Sequence, residues 1–117
     1  MEELRPVAQD EHASIVSDDL DPNAGGAAHK YMILRQNTPS DVTPVEFARI
    51  QFQHGPRGET DSVPGVFDRH LLLILSDRMK CFQRGKFHSE FNDIALKALG
   101  AALAALDART AEREARG

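Results

Sequence analysis

Residues 92–106 read NDIALKALGAALAAL, and this stretch decides the fold. Its leucines recur at spacings of three, four and three residues, at Leu96, Leu99, Leu103 and Leu106. This a/d spacing aligns them along one side of an α-helix that packs against a neighbour. Six alanines between residues 95 and 105 favour a helix strongly, and their small size lets another helix approach closely. With Ser89 or Asn92 as the N-cap, the pattern predicts a helix that ends near Arg113.

A second apolar stripe precedes this helix. It consists of Leu71, Leu75, Met79 and Phe82. The spacings of four, four and three predict a helix over about 66–82, and Gly85 supplies a stop signal. The connection over about 83–89 is short, so the two helices must be antiparallel neighbours. The sequence therefore predicts a helical hairpin over about 66–115.

Two segments upstream of the hairpin have the character of strands. Residues 29–36 read HKYMILRQ, and residues 46–53 read EFARIQFQ. Pro39, Asp41 and Pro44 lie between them and favour a turn, so we expect the two strands to pair antiparallel. Residues 54–64 are rich in glycine and proline and are predicted to form a loop.

The predicted fold class is α+β, a small antiparallel β-sheet packed with a long antiparallel two-helix hairpin. Residues 1–28 carry seven of the acidic groups and no clear periodicity, so we expect a flexible acidic leader. Residues 29–117 form the single predicted domain, and their net charge is slightly positive. A chain of 117 residues has a thin core, which favours oligomerisation.

Composition and motifs argue against several function classes. The longest apolar run, at residues 71–75, is too short for a membrane span, and the acidic start does not resemble a signal peptide. Cys81 is the single cysteine, and the five histidines form neither HxxxH nor HExxH. Phosphate-loop, nucleophile-elbow and deaminase signatures are also absent. We therefore expect a cytoplasmic binding protein with no catalytic residue, metal or cofactor.

The end of the second helix carries an arginine ridge, defined as Arg109, Arg113 and Arg116. Spacings of four and three place these guanidinium groups on one helix face, where they can meet phosphates in bidentate fashion. The alternative is a solvated helix end, because cations complement the dipole there and Glu112 or Glu114 can offset them. Spacing alone leaves both interpretations open.

Three further residues have both a functional and a structural interpretation. Phe82 can stack on a base or close the core of the hairpin, and Asn92 can read a base edge or cap a helix. Arg57, in the loop HGPRG at 54–58, can approach an anion or simply be exposed.

The sequence from about residue 47 onward resembles the phage Thoeris anti-defence type 1 sponge family, with its shared anti-CBASS and anti-Thoeris helical-hairpin domain. The matching stretches are Ile50-Gln51-Phe52-Gln53-His54-Gly55-Pro56, then Cys81-Phe82-Gln83-Arg84-Gly85-Lys86-Phe87, then Asn92, and last Ala108-Arg109-Thr110-Ala111-Glu112-Arg113. The order FQxGxF, Asn, ARTxxR is more specific as a set than any of its parts.

The resemblance implies a function without catalysis. Members of this family bind cyclic ADP-ribose isomers made by TIR-domain enzymes, in pockets between subunits, and some bind cyclic di- or trinucleotides at separate sites in a hexamer. It implies that Phe82 stacks on adenine, that Asn92 fixes the base, and that Arg109 and Arg113 neutralise phosphates. Arg57 would contact the same ligand, whereas Arg84, Lys86 and Arg116 are candidate contacts for larger cyclic oligonucleotides.

The implied assembly is a homo-oligomer, either a dimer or a hexamer built as a trimer of dimers, formed through the Ala/Leu face of the second helix. Two other classes stay open. A protein-interaction module would use the same face to bind a host protein, and a nucleic-acid binder would use the basic hairpin tip. The acidic leader argues against long nucleic acid, because it competes for basic surface.

Overall fold

The computed structural model describes residues 4–36, 39, 42–56 and 58–117. The chain divides into two compact units, Met1–Val66 and Phe67–Gly117. The first unit is a β-sheet and the second is a helical hairpin, so the α+β class is confirmed. The predicted boundary at residue 28 does not coincide with this division.

The sheet has four antiparallel strands in the order β1-β2-β3-β4. Their bounds are Arg5–Gln9 for β1, Ala13–Ser17 for β2, Lys30–Arg35 for β3 and Glu46–Gln51 for β4. The predicted pairing of the third and fourth strands is confirmed, with Tyr31 opposite Ile50 and Ile33 opposite Ala48. The central strands β2 and β3 are less exposed than the edge strands, with Ile15 opposite Ile33.

The first two strands lie within the segment that the sequence analysis assigns to an acidic leader. Acidic residues act there as hydrogen-bond acceptors in turns. Asp10 Oδ1 accepts from the backbone nitrogens of His12 and Ala13, both at 2.8 Å, and thereby shapes the turn between β1 and β2. Asp18 Oδ1 accepts from the backbone nitrogen of His29 at 3.0 Å, next to the start of β3. Pro6 is tolerated because β1 is an edge strand.

A histidine pair ties two loops of the sheet unit together. The rings of His29 and His54 stack with centroids 4.0 Å apart, and His54 Nε2 lies 2.7 Å from Asp21 Oδ2. Because an ionised carboxylate can only accept, His54 donates this bond. The bond lowers the pKa of Asp21 below its ordinary value of 3.8, and a hydrogen bond from the backbone of Asn23 lowers it further.

We expect Asp21 to make the protein acid-sensitive. Its folded pKa lies below its unfolded pKa, so its contribution to stability is present above the unfolded value and is lost as the pH falls through the folded value. Urea unfolding followed by circular dichroism between about pH 5 and 2 should show a steeper loss of stability for the wild type than for Asp21→Asn. If the free energy of unfolding falls equally steeply with pH in both proteins, Asp21 does not have this role. The other carboxyl groups are present in both proteins, so they do not contribute to the difference between them.

The second unit consists of α1, Asp68–Gln83, and α2, Glu90–Arg116. Ser89 caps α2, because its side chain accepts from the backbone nitrogen of Asn92. Arg69, near the start of α1, lies 3.2 Å from Asp107 in the second half of α2, so the helices are antiparallel. Both predicted helices and their orientation are confirmed. The part of α2 after Asp107 extends beyond the start of α1.

The leucines of α2 serve the hairpin itself. Leu96, Leu99, Leu103 and Leu106 are half-buried, and α1 is the element that α2 contacts. A different set of apolar residues on α2 is exposed, also at spacings of three and four; we call it the apolar stripe, and it consists of Phe91, Ile94, Ala98, Ala101 and Ala105. Phe91 is 72 % exposed and Ile94 59 % exposed. Among the described residues, Ala28 is the only fully buried apolar one, and the other apolar side chains keep part of their surface in water.

The described parts of the chain contain no helix long and apolar enough to cross a membrane. They also contain no group of three or more His, Cys, Asp or Glu side chains placed to hold a metal ion.

Candidate functional site

The turn of the hairpin lies between two of the predicted ligand contacts, Phe82 near the end of α1 and Asn92 near the start of α2. Several hydrogen bonds hold this turn. Gln83 Oε1 accepts from the backbone nitrogen of Ser89 at 2.9 Å, and Ser89 Oγ accepts from that of Asn92 at 3.1 Å. Asn92 Nδ2 donates to the carbonyl of Phe87 at 2.9 Å. The local geometry around Phe82 and Asn92 is therefore built by residues of the turn.

Asn92 thus has a structural role in the turn, but the capping interpretation is wrong, because the N-cap of α2 is Ser89. Its amide nitrogen is engaged by Phe87, which fixes the orientation of the side chain. In the described part of the chain no donor contacts its Oδ1. A held amide with an available carbonyl oxygen can accept a hydrogen bond from the exocyclic amine of a base. The structural role and the predicted binding role are therefore compatible.

Phe82 is half-buried and carries a cation on its ring. The guanidinium carbon of Arg78 lies 5.4 Å from the centroid of the ring. Arg78 is one helical turn before Phe82, and this spacing of four residues in the sequence already predicts that the two side chains can meet. The half-buried ring therefore has a cation over it, and both the stacking and the core interpretation of Phe82 are compatible with this position.

The arginine ridge divides into two kinds of residue. Arg116 forms an ion pair with Glu112 at 3.5 Å, as expected for a solvated helix end. Arg109 and Arg113 are exposed, and no carboxylate among the described residues pairs with either of them. Two unneutralised guanidinium groups four residues apart can take up a dianionic ligand.

The two halves of the predicted site lie far apart in one chain. Asn92 and Arg109 belong to the same uninterrupted helix and are separated by seventeen residues. That separation corresponds to about 26 Å along the helix axis. A compact cyclic dinucleotide cannot bridge it, so one hairpin alone does not hold both the base contacts and the phosphate contacts of a single ligand.

The remaining predicted contacts are Arg57, in the predicted loop before the hairpin, and Arg84 and Lys86, in its turn. Arg57 lies outside the described residues. Arg84 Nη2 donates to Cys81 Sγ at 3.3 Å, and Lys86 Nζ lies 5.8 Å from the centroid of the Phe87 ring. Arg84 and Lys86 are both exposed, and they give the turn of the hairpin a positive surface next to Phe82.

The comparisons with known proteins bear on the family that this chain resembles. No family model matches the sequence. A protein of Bacillus phage SBSphiJ7 named Thoeris anti-defense 1 is 29 % identical over 124 aligned positions, which cover 91 % of this chain and 87 % of the relative. The alignment therefore includes most of both the sheet unit and the hairpin unit. The resemblance predicted from the FQxGxF, Asn and ARTxxR residues is confirmed: this chain resembles the Thoeris anti-defence 1 family of phage proteins.

Proposed function

We propose that this protein is a phage anti-defence sponge, which binds the cyclic ADP-ribose isomers made by TIR-domain enzymes and holds them intact in the cytoplasm of the host. The name and extent of the SBSphiJ7 relative support an anti-Thoeris role. The ligand class follows from the resemblance and from the chemistry of the hairpin, which offers an aromatic ring, a fixed amide and two unpaired guanidinium groups.

The observation that carries the proposal is the separation of these groups along α2. If two α2 helices pair antiparallel and cross near Ala101, the base contacts of one chain come close to the phosphate contacts of the other. This follows because Ala101 lies midway between Asn92 and Arg109. The turn of one hairpin then lies level with the partner subunit's Arg109, at both ends of the pair. Two equivalent sites result, each built by two chains, as expected for a two-fold symmetric dimer.

The apolar stripe is the surface that would form this pair. Its alanines allow close approach of two helices, and Phe91 and Ile94 would leave water on association. Burying each of these two larger side chains contributes about 1.5–3 kcal/mol. Arg109 lies one turn beyond Ala105, so the stripe leads directly to the phosphate contacts. We therefore assign assembly to this stripe and not to the predicted Ala/Leu face, since the leucines are half-buried on the helix that contacts α1.

Each proposed contact has a distinct task. Phe82 stacks on the adenine, which is worth about 1–3 kcal/mol per base. Asn92 Oδ1 accepts from the exocyclic amine of that base, and the partner subunit's Arg109 and Arg113 neutralise the pyrophosphate. Arg57 contacts the ligand on the ground of the resemblance alone. Larger cyclic oligonucleotides would use Arg84, Lys86 and Arg116 in a hexamer.

The direct test is recovery of the ligand. The purified protein is incubated with a cyclic ADP-ribose isomer, separated from free ligand, heat-denatured and analysed by chromatography. We expect intact ligand in a stoichiometric amount. Degradation products would indicate an enzyme, and absence of depletion before heating would reject this ligand class. Cyclic di- and trinucleotides in the same panel identify a sponge for oligonucleotides alone, whereas salt-sensitive binding of long RNA or DNA identifies a nucleic-acid protein.

A mixing experiment tests whether two chains share the site. Phe82→Ala and Arg109→Ala chains are each expected to bind ligand weakly. After subunit exchange at equal concentrations, half of the dimers contain one chain of each kind, and each of these carries one intact site. We therefore expect binding at about a quarter of the sites to return with wild-type affinity. If titration shows no such class of sites although exchange has occurred, both residues act in the same chain's site.

A further inference from the structure

Arg78 is a cation that the sponge function described so far does not use. Its guanidinium lies over the Phe82 ring, and no carboxylate within the described residues pairs with it. By contrast, Arg69 pairs with Asp107 and Arg116 with Glu112. Arg78 is also exposed, so its side chain is able to change position without disrupting packed neighbours.

The position of Arg78 has a consequence for any base that stacks on Phe82. The guanidinium and the base would compete for an accessible face of one ring. A cation–π contact at an exposed site is weaker than the stacking of a base on the same ring, so the base displaces the guanidinium. The planar guanidinium is itself a good stacking surface for a base.

We propose that Arg78 and Phe82 form the two plates of a base clamp, in which Arg78 leaves the Phe82 ring and stacks on the outer face of the incoming base. This inference rests on the proposed function. In the free protein Arg78 covers the ring and shields it from water. In the complex it covers the base, so the base has aromatic carbon on one side and a delocalised cation on the other. The clamp selects for a planar base and is independent of the phosphate contacts.

The test compares two neutralising substitutions on the same helix. Arg78→Gln removes the proposed plate, and Lys80→Gln removes an equal charge from an exposed position two residues away. Glutamine has a similar helix propensity to both replaced residues, so α1 is preserved. With cyclic ADP-ribose as the probe in calorimetry, we expect Arg78→Gln to weaken binding about tenfold and Lys80→Gln less than about twofold.

A double-mutant cycle with Phe82→Leu separates the clamp from a structural effect. Leucine keeps an apolar side chain, so binding weakens but can still be followed at higher protein concentration. If Arg78 acts on a base held by Phe82, the Arg78→Gln effect disappears in the Phe82→Leu background. An undiminished effect there, or equal effects of Arg78→Gln and Lys80→Gln, would overturn the clamp and leave the sponge function standing.

A measurement without ligand tests the base clamp separately from the proposed sponge function. The aromatic NMR signals of Phe82 should shift in Arg78→Gln and stay unchanged in Lys80→Gln, because the guanidinium of Arg78 lies over the ring. Unchanged signals in both variants would refute the clamp at its first step. A wild-type protein that fails to bind any cyclic nucleotide would refute the proposed function and the clamp together, whatever the ring signals show.

Discussion

Replacement of both Arg109 and Arg113 by alanine is expected to abolish binding of cyclic ADP-ribose isomers. Both guanidinium groups lack an acidic partner in the described chain, so they are available for a ligand's phosphates. Truncation of one partner of a buried charge pair costs about 2–5 kcal/mol. Since about 1.4 kcal/mol is a factor of ten, the double variant should lose at least about three orders of magnitude in affinity, measured by calorimetry.

Arg116→Ala is the matched control for this prediction. It removes an arginine from the same helix face, but one that already pairs with Glu112. We expect a change in affinity of less than about threefold, because exposed ion pairs contribute little. Light scattering should give the same mass for both variants and the wild type. Retained affinity in the Arg109 and Arg113 variant, or an equal loss in Arg116→Ala, would remove the phosphate role of these residues.

The sequence predicts the parts of this fold in which periodicity is long and uninterrupted. The stripe from Leu71 to Phe82 and the leucines of α2 each extend over at least three helical turns, so the hairpin follows from spacing. The strands β1 and β2 have five residues each, too few to display a pattern. The acidic residues beside them read as a solvated leader, whereas Asp10 and Asp18 are acceptors for backbone nitrogens.

In the candidate site, what the sequence cannot predict is the pairing of individual side chains. Helical spacing predicts that Arg109 and Arg113 share a face, but whether either is neutralised depends on side-chain geometry. The geometry assigns Glu112 to Arg116. For Asn92, the helical pattern allowed a capping role, whereas the structure gives that role to Ser89 and engages the Asn92 amide with Phe87. The contact to Phe87 depends on the path of the turn and is not visible in the sequence. The distance between Asn92 and Arg109 was already implicit in the length of the predicted helix.

Introduction of a charge into the apolar stripe is the second substitution with a large expected effect. Ala98 is exposed in the single chain, so Ala98→Glu should leave the helicity and the cooperative unfolding of the hairpin unchanged. In the proposed helix pair, which crosses near Ala101, each of the two introduced carboxylates would instead be buried in the apolar contact between the helices, three residues from the crossing point. An uncompensated buried charge costs several kcal/mol, which exceeds the contribution of any single side chain of the stripe. We therefore expect dissociation to single chains and loss of ligand binding together.

Ala104→Glu is a strict control, because it makes the same substitution at an exposed alanine of the same helix outside the apolar stripe. It should keep both the mass of the assembly and the affinity for the ligand. If Ala98→Glu dissociates the assembly but single chains still bind with full affinity, the site lies within one chain and the separation of Asn92 from Arg109 must be bridged by other residues. If Ala98→Glu keeps the assembly, another surface forms it. Joint loss of mass and binding in Ala98→Glu alone would tie the apolar stripe to the site, because the two halves of the site would then meet only when two hairpins do.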